Sequence, residues 1–358
     1  MTLMTRRSLL RTGAAAAALP LVAGRAFAQE PLKVGFVYVG PVGDFGYTYA
    51  HDQGRQEADA HFGDRIRTTY VENVAEGPDS ERVIRNLAED GNQLIFTCSF
   101  GFMNPTIKVA KRFPDVKFEH CSGYQRAENV ATYNARFYEG RAVCGTIAAK
   151  MSKSGVAGYI ASFPIPEVVS GINAFTLAAR RVNPAFQTKV VWVSSWYDPA
   201  KEADAAKALF DQGADVIAQH TDSPAALQAA EQRGLWAFGQ AWDMSSFAPK
   251  AHLTAIQNHW GAYYIERIQK TLDGAWESGD AWWGFKEGML KMSPFNPAIP
   301  ADVIEAANET EVGIVDGSAP PFAGPIVNQA GEEKAAAGSA LDDPAILSMD
   351  WYVEGVQS

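Results

Sequence analysis

Residues 32–50 have the sequence LKVGFVYVGPVGDFGYTYA, in which an apolar segment runs directly into a loop of glycine, acidic and aromatic residues. The segment from Leu32 to Val39 predicts a strand that is buried on both faces, as in a parallel sheet covered by helices on both sides. Ligands of such sheets bind beyond the carboxyl ends of the strands. We therefore expect the loop after this strand to contact a ligand.

The glycines of this loop argue against a dinucleotide cofactor. Two residues separate Gly40 from Gly43, and two more separate Gly43 from Gly46. In the dinucleotide-binding motif a single residue separates the first two glycines, which allows the tight turn before the pyrophosphate. We expect no nicotinamide cofactor, and the sequence indicates no other cofactor.

The other side chains of the loop suit a planar ligand. Asp44 is a hydrogen-bond acceptor, and Phe45, Tyr47 and Tyr49 offer flat apolar surfaces. The alternative is a polar turn whose aromatic side chains fold into the core, because aromatic residues are commonly buried.

The same order of strand, loop and helix recurs along the first part of the chain. Further strands are predicted at residues 66–71, 94–97, 116–119 and 130–134. The loop Ser99-Phe100-Gly101-Phe102 follows the strand at 94–97. Strands that alternate with helices at this spacing predict βαβ units and an α/β fold with a doubly wound parallel sheet.

The pattern restarts after residue 135, with strands predicted at 156–161, 190–193, 215–218 and 236–239. We therefore expect two such lobes with a ligand cleft between them, joined by a hinge of several chain crossings. The predicted boundaries are 29–134 plus about 252–276 for the first lobe, and 135–251 plus about 277–358 for the second. From residue 293 onward the composition predicts weak secondary structure wrapped around the second lobe.

Residues 1–28 predict a signal peptide. They combine the pair Arg6-Arg7, a short apolar run and the sequence Ala26-Phe27-Ala28, which has the form of a cleavage site. The apolar run is shorter than the roughly 20 residues of a spanning helix. Paired arginines indicate twin-arginine export. Because no cysteine lies near the cleavage site, we expect no lipid anchor and a mature protein that is free in the periplasm.

The charge of the chain argues against nucleic-acid binding. The net charge is −10, and it becomes −14 without residues 1–28, which contain four arginines and no acid. Binding to a phosphate backbone requires lysine and arginine side chains that displace counterions. We therefore expect a small-molecule partner and no nucleic acid.

The three cysteines leave two possibilities open. Cys98 and Cys121 end two predicted strands, and a disulfide could join them if those strands are neighbours. The commoner state of single strand cysteines is the buried free thiol. No metal site is predicted, since the dipeptide His120-Cys121 has no partner pair at zinc-ligand spacing.

Four motifs together make the chain resemble the basic membrane protein family of solute receptors, whose best-known branch is the purine nucleoside receptor A-like proteins. The motifs are Gly43-Asp44-Phe45-Gly46-Tyr47-Thr48, Ser99-Phe100-Gly101-Phe102, Gly213-Ala214-Asp215-Val216-Ile217 and Ser348-Met349-Asp350-Trp351-Tyr352-Val353-Glu354-Gly355-Val356. The resemblance covers nearly all of the mature chain. It implies a type I periplasmic binding fold and delivery of a solute, often a purine nucleobase or nucleoside, to the membrane permease of an ABC importer.

The resemblance also implies where the ligand lies. In the family an aromatic side chain from each lobe sandwiches the base, and carboxylates or amides bind its edge and the sugar. This places Asp44 and Tyr47 in the first ligand loop, and Ser99, Phe100 and Phe102 in the second. Asp243 matches an aspartate that binds ribose. Gln257 stands, with Asn258, where many members have a lysine, a departure that leaves room for a free base.

Side chains at predicted strand ends complete the candidate site. Trp196 or Trp242 would supply the aromatic face of the second lobe, and Asp222 a carboxylate. For Asp222, an N-cap of a helix is an equal alternative, because aspartate at a strand-to-helix junction is often a cap.

Other functions remain open at this point. A periplasmic sensor partner would share the whole sequence, and a sugar, riboflavin or another heteroaromatic could replace the purine. A nucleoside hydrolase is disfavoured because no cluster of carboxylates occurs in a strand-end loop. An α/β-hydrolase is disfavoured because no Gly-x-Ser-x-Gly elbow precedes a helix.

Overall fold

The computed structural model describes residues 30–358, and the chain from Pro31 to Ser358 forms one compact unit. The predicted signal peptide, residues 1–28, lies outside the described residues. Within residues 30–358, no helix is both long enough and apolar enough to cross a membrane.

The described part of the chain contains fifteen strands, which account for the predicted strands and add several short ones. They are β1 (Leu32–Tyr38), β2 (Ile66–Val71), β3 (Leu94–Cys98), β4 (Lys117–Cys121), β5 (Val130–Ala135), β6 (Val156–Ala161), β7 (Gln187–Trp192), β8 (Val216–Gln219), β9 (Trp236–Ala241), β10 (His252–Asn258), β11 (Asp280–Trp283), β12 (Leu290–Met292), β13 (Ile326–Val327), β14 (Glu333–Ala335) and β15 (Val356–Gln357).

Ten α-helices within residues 30–358 connect and cover these strands. They are α1 (Gly46–Phe62), α2 (Pro78–Glu89), α3 (Met103–Ala110), α4 (Phe137–Met151), α5 (Pro166–Val182), α6 (Pro199–Asp211), α7 (Ala225–Arg233), α8 (Gly261–Leu272), α9 (Ala301–Val315) and α10 (Asp343–Leu347).

The strands form two large sheets, which confirms the predicted α/β fold with two parallel-sheet lobes. The six-stranded sheet has the order β11-β5-β4-β3-β1-β2 and is parallel throughout. The seven-stranded sheet has the order β12-β10-β9-β8-β6-β7-β15, in which only the edge strand β12 is antiparallel to its neighbour. We call the first sheet with its covering helices the first lobe, and the second sheet with its helices the second lobe.

The first strand has the burial that its sequence predicts. Six of the seven residues of β1 are buried, and Lys33 is the exposed one. The strand lies between β2 and β3 in the sheet, and the buried residues alternate between its two faces, so both faces are covered. Its carboxyl end points toward the loop of residues 39–45, which leads into α1.

The chain crosses between the lobes at three places, after β5, after β10 and after β11. These crossings differ from the predicted boundaries. Residues 252–258 form β10 in the second sheet, although they were assigned to the first lobe. Residues 280–283 form β11 beside β5 in the first sheet, although they were assigned to the second. Only α8, which packs on α1, carries the segment 252–276 into the first lobe.

The C-terminal part is more regular than its composition predicts. Residues 301–315 form the four-turn helix α9, which packs against α4 with Val303 and Ala307 buried. The terminal segment docks on the second lobe, where Asn173 of α5 donates to the Trp351 carbonyl at 2.7 Å and accepts from the Val353 N–H at 3.0 Å. The prediction of weak secondary structure is therefore wrong for residues 301–315.

The cysteines are buried free thiols. Cys98 and Cys121 are register partners on the adjacent strands β3 and β4, but no disulfide joins them. Cys98 lies 3.5 Å from the Tyr133 hydroxyl, and Cys121 accepts from the Tyr47 hydroxyl at 3.2 Å. Burial raises the pKa of the Cys98 thiol to about 12, so the group is neutral.

Candidate functional site

A cavity lies between the two lobes, where the carboxyl ends of both sheets face each other. Its volume is about 40 Å³. An adjoining cavity of about 260 Å³ shares Phe100, Ser122, Phe137 and Glu167 with it. Its lining comes from both lobes and consists of Val39, Tyr47, Ser99, Phe100, Ser122, Phe137, Glu167, Trp196, His220, Thr221, Asp222 and Gln240. This is the place where ligands of parallel α/β folds bind.

One carboxylate joins two aromatic loops across the cavity. Glu76 of the first lobe accepts from the Ser99 hydroxyl at 2.6 Å and from the Gly101 N–H at 3.0 Å, so it fixes the loop that carries Phe100. The Trp196 indole of the second lobe donates to the same Glu76 oxygen at 3.2 Å. Residue 101 must be glycine for this contact, because a Cβ there would lie 2.3 Å from the Glu76 carboxyl carbon.

A second carboxylate joins the lobes at the start of α1. Asp222 of the second lobe accepts from the Tyr47 N–H at 2.5 Å. The residue before the helix, Phe45, gives α1 no side-chain cap, so Asp222 satisfies a free helix N–H from the opposite lobe. Burial raises the pKa of Asp222 to about 7, although the bonds from the helix N–H groups act in the opposite direction.

A third carboxylate lies on α5. Glu167 accepts from the Ser122 hydroxyl at 2.9 Å and from the Asn134 amide at 2.8 Å, both in the first lobe. Its other oxygen lies 3.5 Å from His220 Nε2. Burial lowers the pKa of His220, which is therefore neutral near pH 7.

The inner wall of the cavity is polar. Gln240, near the carboxyl end of β9, lines the cavity. Its Oε1 accepts a hydrogen bond from the Arg141 guanidinium of α4. Arg141 is completely buried. Next to it, His220 Nδ1 has no hydrogen-bond partner within residues 30–358. The wall thus combines aromatic faces with donors and acceptors, an arrangement that suits a flat polar ligand.

Comparison with known proteins assigns the chain to a family. The family model described as ABC transporter substrate-binding protein PnrA-like, named Bmp, matches residues 32–318. The chain belongs to the Bmp family. Its members are substrate-binding proteins of ABC transporters, so the protein binds a small-molecule solute that a membrane permease takes up. This confirms the resemblance drawn from the four motifs.

Two relatives and one solved structure describe the similarity. The chain is 59% identical to a purine-binding protein of Brucella abortus, over 94% of this chain and 96% of that protein. It is 37% identical to a putative ABC transporter glucose-binding protein of Haloferax volcanii, over 92% of this chain and 81% of that one. An ABC transporter solute-binding protein from Aeropyrum pernix K1 has the same fold, with a TM-score of 0.69 at 19% identity, over 85% of this chain and 95% of that one.

Five of the predicted site residues line the cavity. They are Tyr47, Ser99, Phe100, Trp196 and Asp222. For Asp222, the structure shows a cap on the helix of the opposite lobe. The helix that follows it in sequence, α7, takes no side-chain cap.

The other predicted residues lie outside the cavity lining. Asp44 is exposed, and Phe102 is completely buried in the core of the first lobe. Phe45 packs against Tyr197 and Phe247 of the second lobe, with ring centroids at 6.4 and 5.1 Å. Phe100 and Phe102 differ although both stand in the short helical turn at residues 100–102, in which Phe100 lines the cavity and Phe102 is buried in the core.

The residues after β9 and in β10 also face elsewhere. Trp242 packs edge-on against Tyr49 at 5.4 Å, and Asp243 accepts from the Ser245 N–H at 2.8 Å in a local turn. Gln257 lies 3.2 Å from His259 Nε2. Gln257 therefore gives no reason to expect a free base, since its side chain does not line the cavity.

Sequence reasoning missed most of the polar cavity residues. Ser122, Glu167 and Gln240 follow or end strands β4, β6 and β9, so strand-end position is the signal that they share with the predicted residues. Glu167 stands in the first turn of α5. An acidic residue is common there because it interacts favourably with the helix dipole, so its sequence position alone does not indicate a ligand contact.

Proposed function

We propose that the protein is the periplasmic receptor of an ABC importer for purines, nucleobases or nucleosides, which it holds between the two lobes. The observation that carries the proposal is that Phe100 of the first lobe and Trp196 of the second line one cavity with a polar inner wall. The identity of 59% to a protein named as purine-binding supports it. Export by a twin-arginine signal is part of the proposal.

The chemistry of the cavity fits a purine. A purine has two wide faces and an edge of donors and acceptors. Stacking on one aromatic side chain contributes about 1–3 kcal/mol, whereas micromolar binding needs about 8 kcal/mol. Two aromatic faces, together with hydrogen bonds from buried polar groups, can supply that free energy.

A sugar is the second candidate, because the relative at 37% identity is named as a putative glucose-binding protein. Aromatic faces and carboxylates also bind sugars. The two ligand classes differ in shape, since a pyranose is thicker than a purine ring and carries hydroxyl groups around its rim.

Calorimetric titration of the unfolded and refolded mature chain tests the proposal. Refolding removes ligand that an exported receptor can retain through purification. The panel contains adenine, adenosine, guanosine, riboflavin and glucose. One-to-one binding of a purine with no heat from glucose supports the proposal, whereas tight binding of glucose alone overturns it in favour of the sugar.

The variants Phe100→Ala and Trp196→Ala identify the aromatic faces. Each should weaken purine binding by about 1–3 kcal/mol if its ring stacks on the base. Trp192→Ala is the matched control, because Trp192 is a partly buried tryptophan of β7 whose indole donates to Ser358, away from the cavity. Equal affinities of Trp196→Ala and Trp192→Ala would place the base elsewhere.

A further inference from the structure

Arg141 is a buried cation directly behind the cavity wall. Its side chain is completely buried, and within residues 30–358 its one hydrogen bond goes to Gln240 Oε1. The atoms Nε and Nη1 donate to no described atom. Burial of a guanidinium without a carboxylate partner lowers the stability of the fold, so we expect Arg141 to have a role other than stabilisation.

The chemistry of the guanidinium decides which way the Gln240 amide faces. Arginine has five N–H donors and no acceptor. The Gln240 atom that faces Arg141 must therefore be the carbonyl oxygen, because the amide nitrogen would place donors against donors. The orientation of the amide therefore follows from the chemistry of the two groups, with Oε1 toward Arg141 and Nε2 away from it.

The opposite side of the amide is then a donor. Gln240 lines the cavity, and its Nε2 makes no hydrogen bond to another side chain or carbonyl of the described chain. The two N–H bonds of Nε2 are therefore available to a ligand. A glutamine without Arg141 could present either end to the cavity, whereas this one presents only its donor.

We propose that Arg141 is a positioning residue that holds Gln240 as a hydrogen-bond donor, so that the purine edge next to β9 carries an acceptor. The acceptor is a carbonyl oxygen in an oxopurine or an unprotonated ring nitrogen in adenine. An exocyclic amino group at this point would meet a donor. This inference rests on the proposed function, since it names the edge by which the same site binds the purine.

The neighbours of Arg141 support an acceptor at this edge. The Arg141 guanidinium lies 5.7 Å from the centre of the Tyr159 ring, and His220 stands beside it as a neutral side chain. A Cβ on Gly171 would lie 3.5 Å from Arg141 and 3.6 Å from His220, so α5 packs closely against both. Arg141 makes no direct ion pair within residues 30–358, and the nearest cavity carboxylate, Glu167, lies on the other side of His220. The positive charge behind Gln240 therefore favours electron-rich ligand atoms over N–H groups.

The variant Gln240→Glu separates the two sides of the amide. It gives Arg141 a carboxylate partner, so the melting temperature should rise by a few degrees. It also turns an acceptor toward the ligand, so the dissociation constant for adenine or guanosine should rise about 10- to 100-fold. A lower melting temperature, or unchanged purine affinity, overturns the inference.

Gln219→Glu is the matched control for the stability measurement. Gln219 is also completely buried and lies at the end of the neighbouring strand β8, but its Nε2 donates to the Ser223 carbonyl at 2.9 Å. A carboxylate at this position loses that donor, so the melting temperature should fall. A rise in both variants would mean that burial of any carboxylate stabilises this region, which contradicts the assigned role of Arg141.

Deaza analogues of adenine test the ligand contact itself. Replacing N1, N3 or N7 by C–H removes one acceptor at a time, and one analogue should bind the protein about tenfold more weakly than adenine. In Gln240→Ala that difference should vanish, and in Arg141→Met it should shrink because the amide is free to turn. Equal discrimination in all three proteins shows that Gln240 does not contact the acceptor.

The outcomes keep the inference separate from the proposed function. If the protein binds no purine, the proposed function fails. The melting temperature of Gln240→Glu still tests whether Arg141 pairs with residue 240. If it binds purines and the variants leave affinity and discrimination unchanged, only the inference fails.

Discussion

Adding a single methyl group at Gly46 should weaken ligand binding by hindering closure of the lobes, beyond its effect on the stability of the fold. Gly46 is the first residue of α1 and has φ of +81°. A Cβ on this residue would lie 2.5 Å from Asp222 Oδ1 and 2.8 Å from the Asp222 backbone carbonyl. Because one of these atoms belongs to the backbone, rotation of the Asp222 side chain alone does not relieve the clash.

Gly46→Ala should therefore have two separate costs. The left-handed backbone conformation costs an alanine about 1–2 kcal/mol whether the lobes are open or closed. The clash with Asp222 exists only when the lobes are closed, and it breaks the bond from the Tyr47 N–H. A hydrogen bond to a charged group contributes about 1.5–3 kcal/mol, which corresponds to a loss of affinity of about 10- to 150-fold.

Gly234→Ala is the control for the first cost. Gly234 follows the last residue of α7 in the left-handed conformation, with φ of +65°, and a Cβ there would have no atom within 4 Å. Both variants should lower the melting temperature by similar amounts in thermal unfolding of the ligand-free protein. Only Gly46→Ala should weaken ligand binding in calorimetry. Equal dissociation constants for the two variants would refute the assignment of the Asp222 contact to lobe closure.

Three further predictions use other parts of the structure. Because burial in the closed protein raises the pKa of Asp222 from its ordinary 3.8 to about 7, closure should take up a proton between these values. Affinity should therefore fall as the pH rises from about 4 to 7 and level off above. Asp222→Asn should remove this pH dependence in titrations across that range. Glu119→Gln leaves Arg267 buried without its carboxylate and should cost about 3–5 kcal/mol of unfolding free energy in urea, with ligand affinity unchanged. Asn173→Leu removes both hydrogen bonds to the terminal segment near Trp351 and should cost about 2 kcal/mol; a stability equal to that of the unmodified protein would mean that packing alone holds the segment.

The elements that sequence reasoning found are those with strong local signals. β1 is an apolar run of seven residues, and the periodic apolar positions of α2 predict its buried face, including Val83, Ile84 and Leu87. The helix α9 was missed because acids and small residues surround its few apolar positions. Its burial depends on α4, which lies about 160 residues earlier in the chain, and no local pattern reports such a contact.

The lobe to which a strand belongs is also a non-local property. β10 follows β9 in sequence and pairs with it, whereas the predicted boundary sent this segment to the other lobe. Both placements satisfy the same apolar pattern, since each buries the strand on two faces. Only the pairing partners, β9 on one side and β12 on the other, distinguish them.

The candidate site shows the same division. Tyr47, Phe100 and Trp196 were found because aromatic residues at strand ends are few and conspicuous. Asp243 was predicted from its match to the family's aspartate and its position at a strand end, but it accepts a hydrogen bond in a local turn. The sequence alone does not distinguish a carboxylate that caps a turn from one that faces a cleft. Arg141 lies in the second turn of α4, and arginine on a helix usually faces solvent, so no sequence signal indicated its burial.

The carboxylates of the cleft explain why a ligand would be needed to hold the lobes together. Three of them accept hydrogen bonds across the cleft, from Trp196 to Glu76, from Tyr47 to Asp222, and from Ser122 and Asn134 to Glu167. Each of these hydrogen bonds replaces a hydrogen bond to water, and closure of the lobes removes each carboxylate from solvent. The raised pKa of Asp222 shows that for this group burial outweighs the bonds that it gains. Closure without a ligand therefore has little net driving force. The free energy of stacking and of the hydrogen bonds at the inner wall then appears as a shift of the population toward the closed protein.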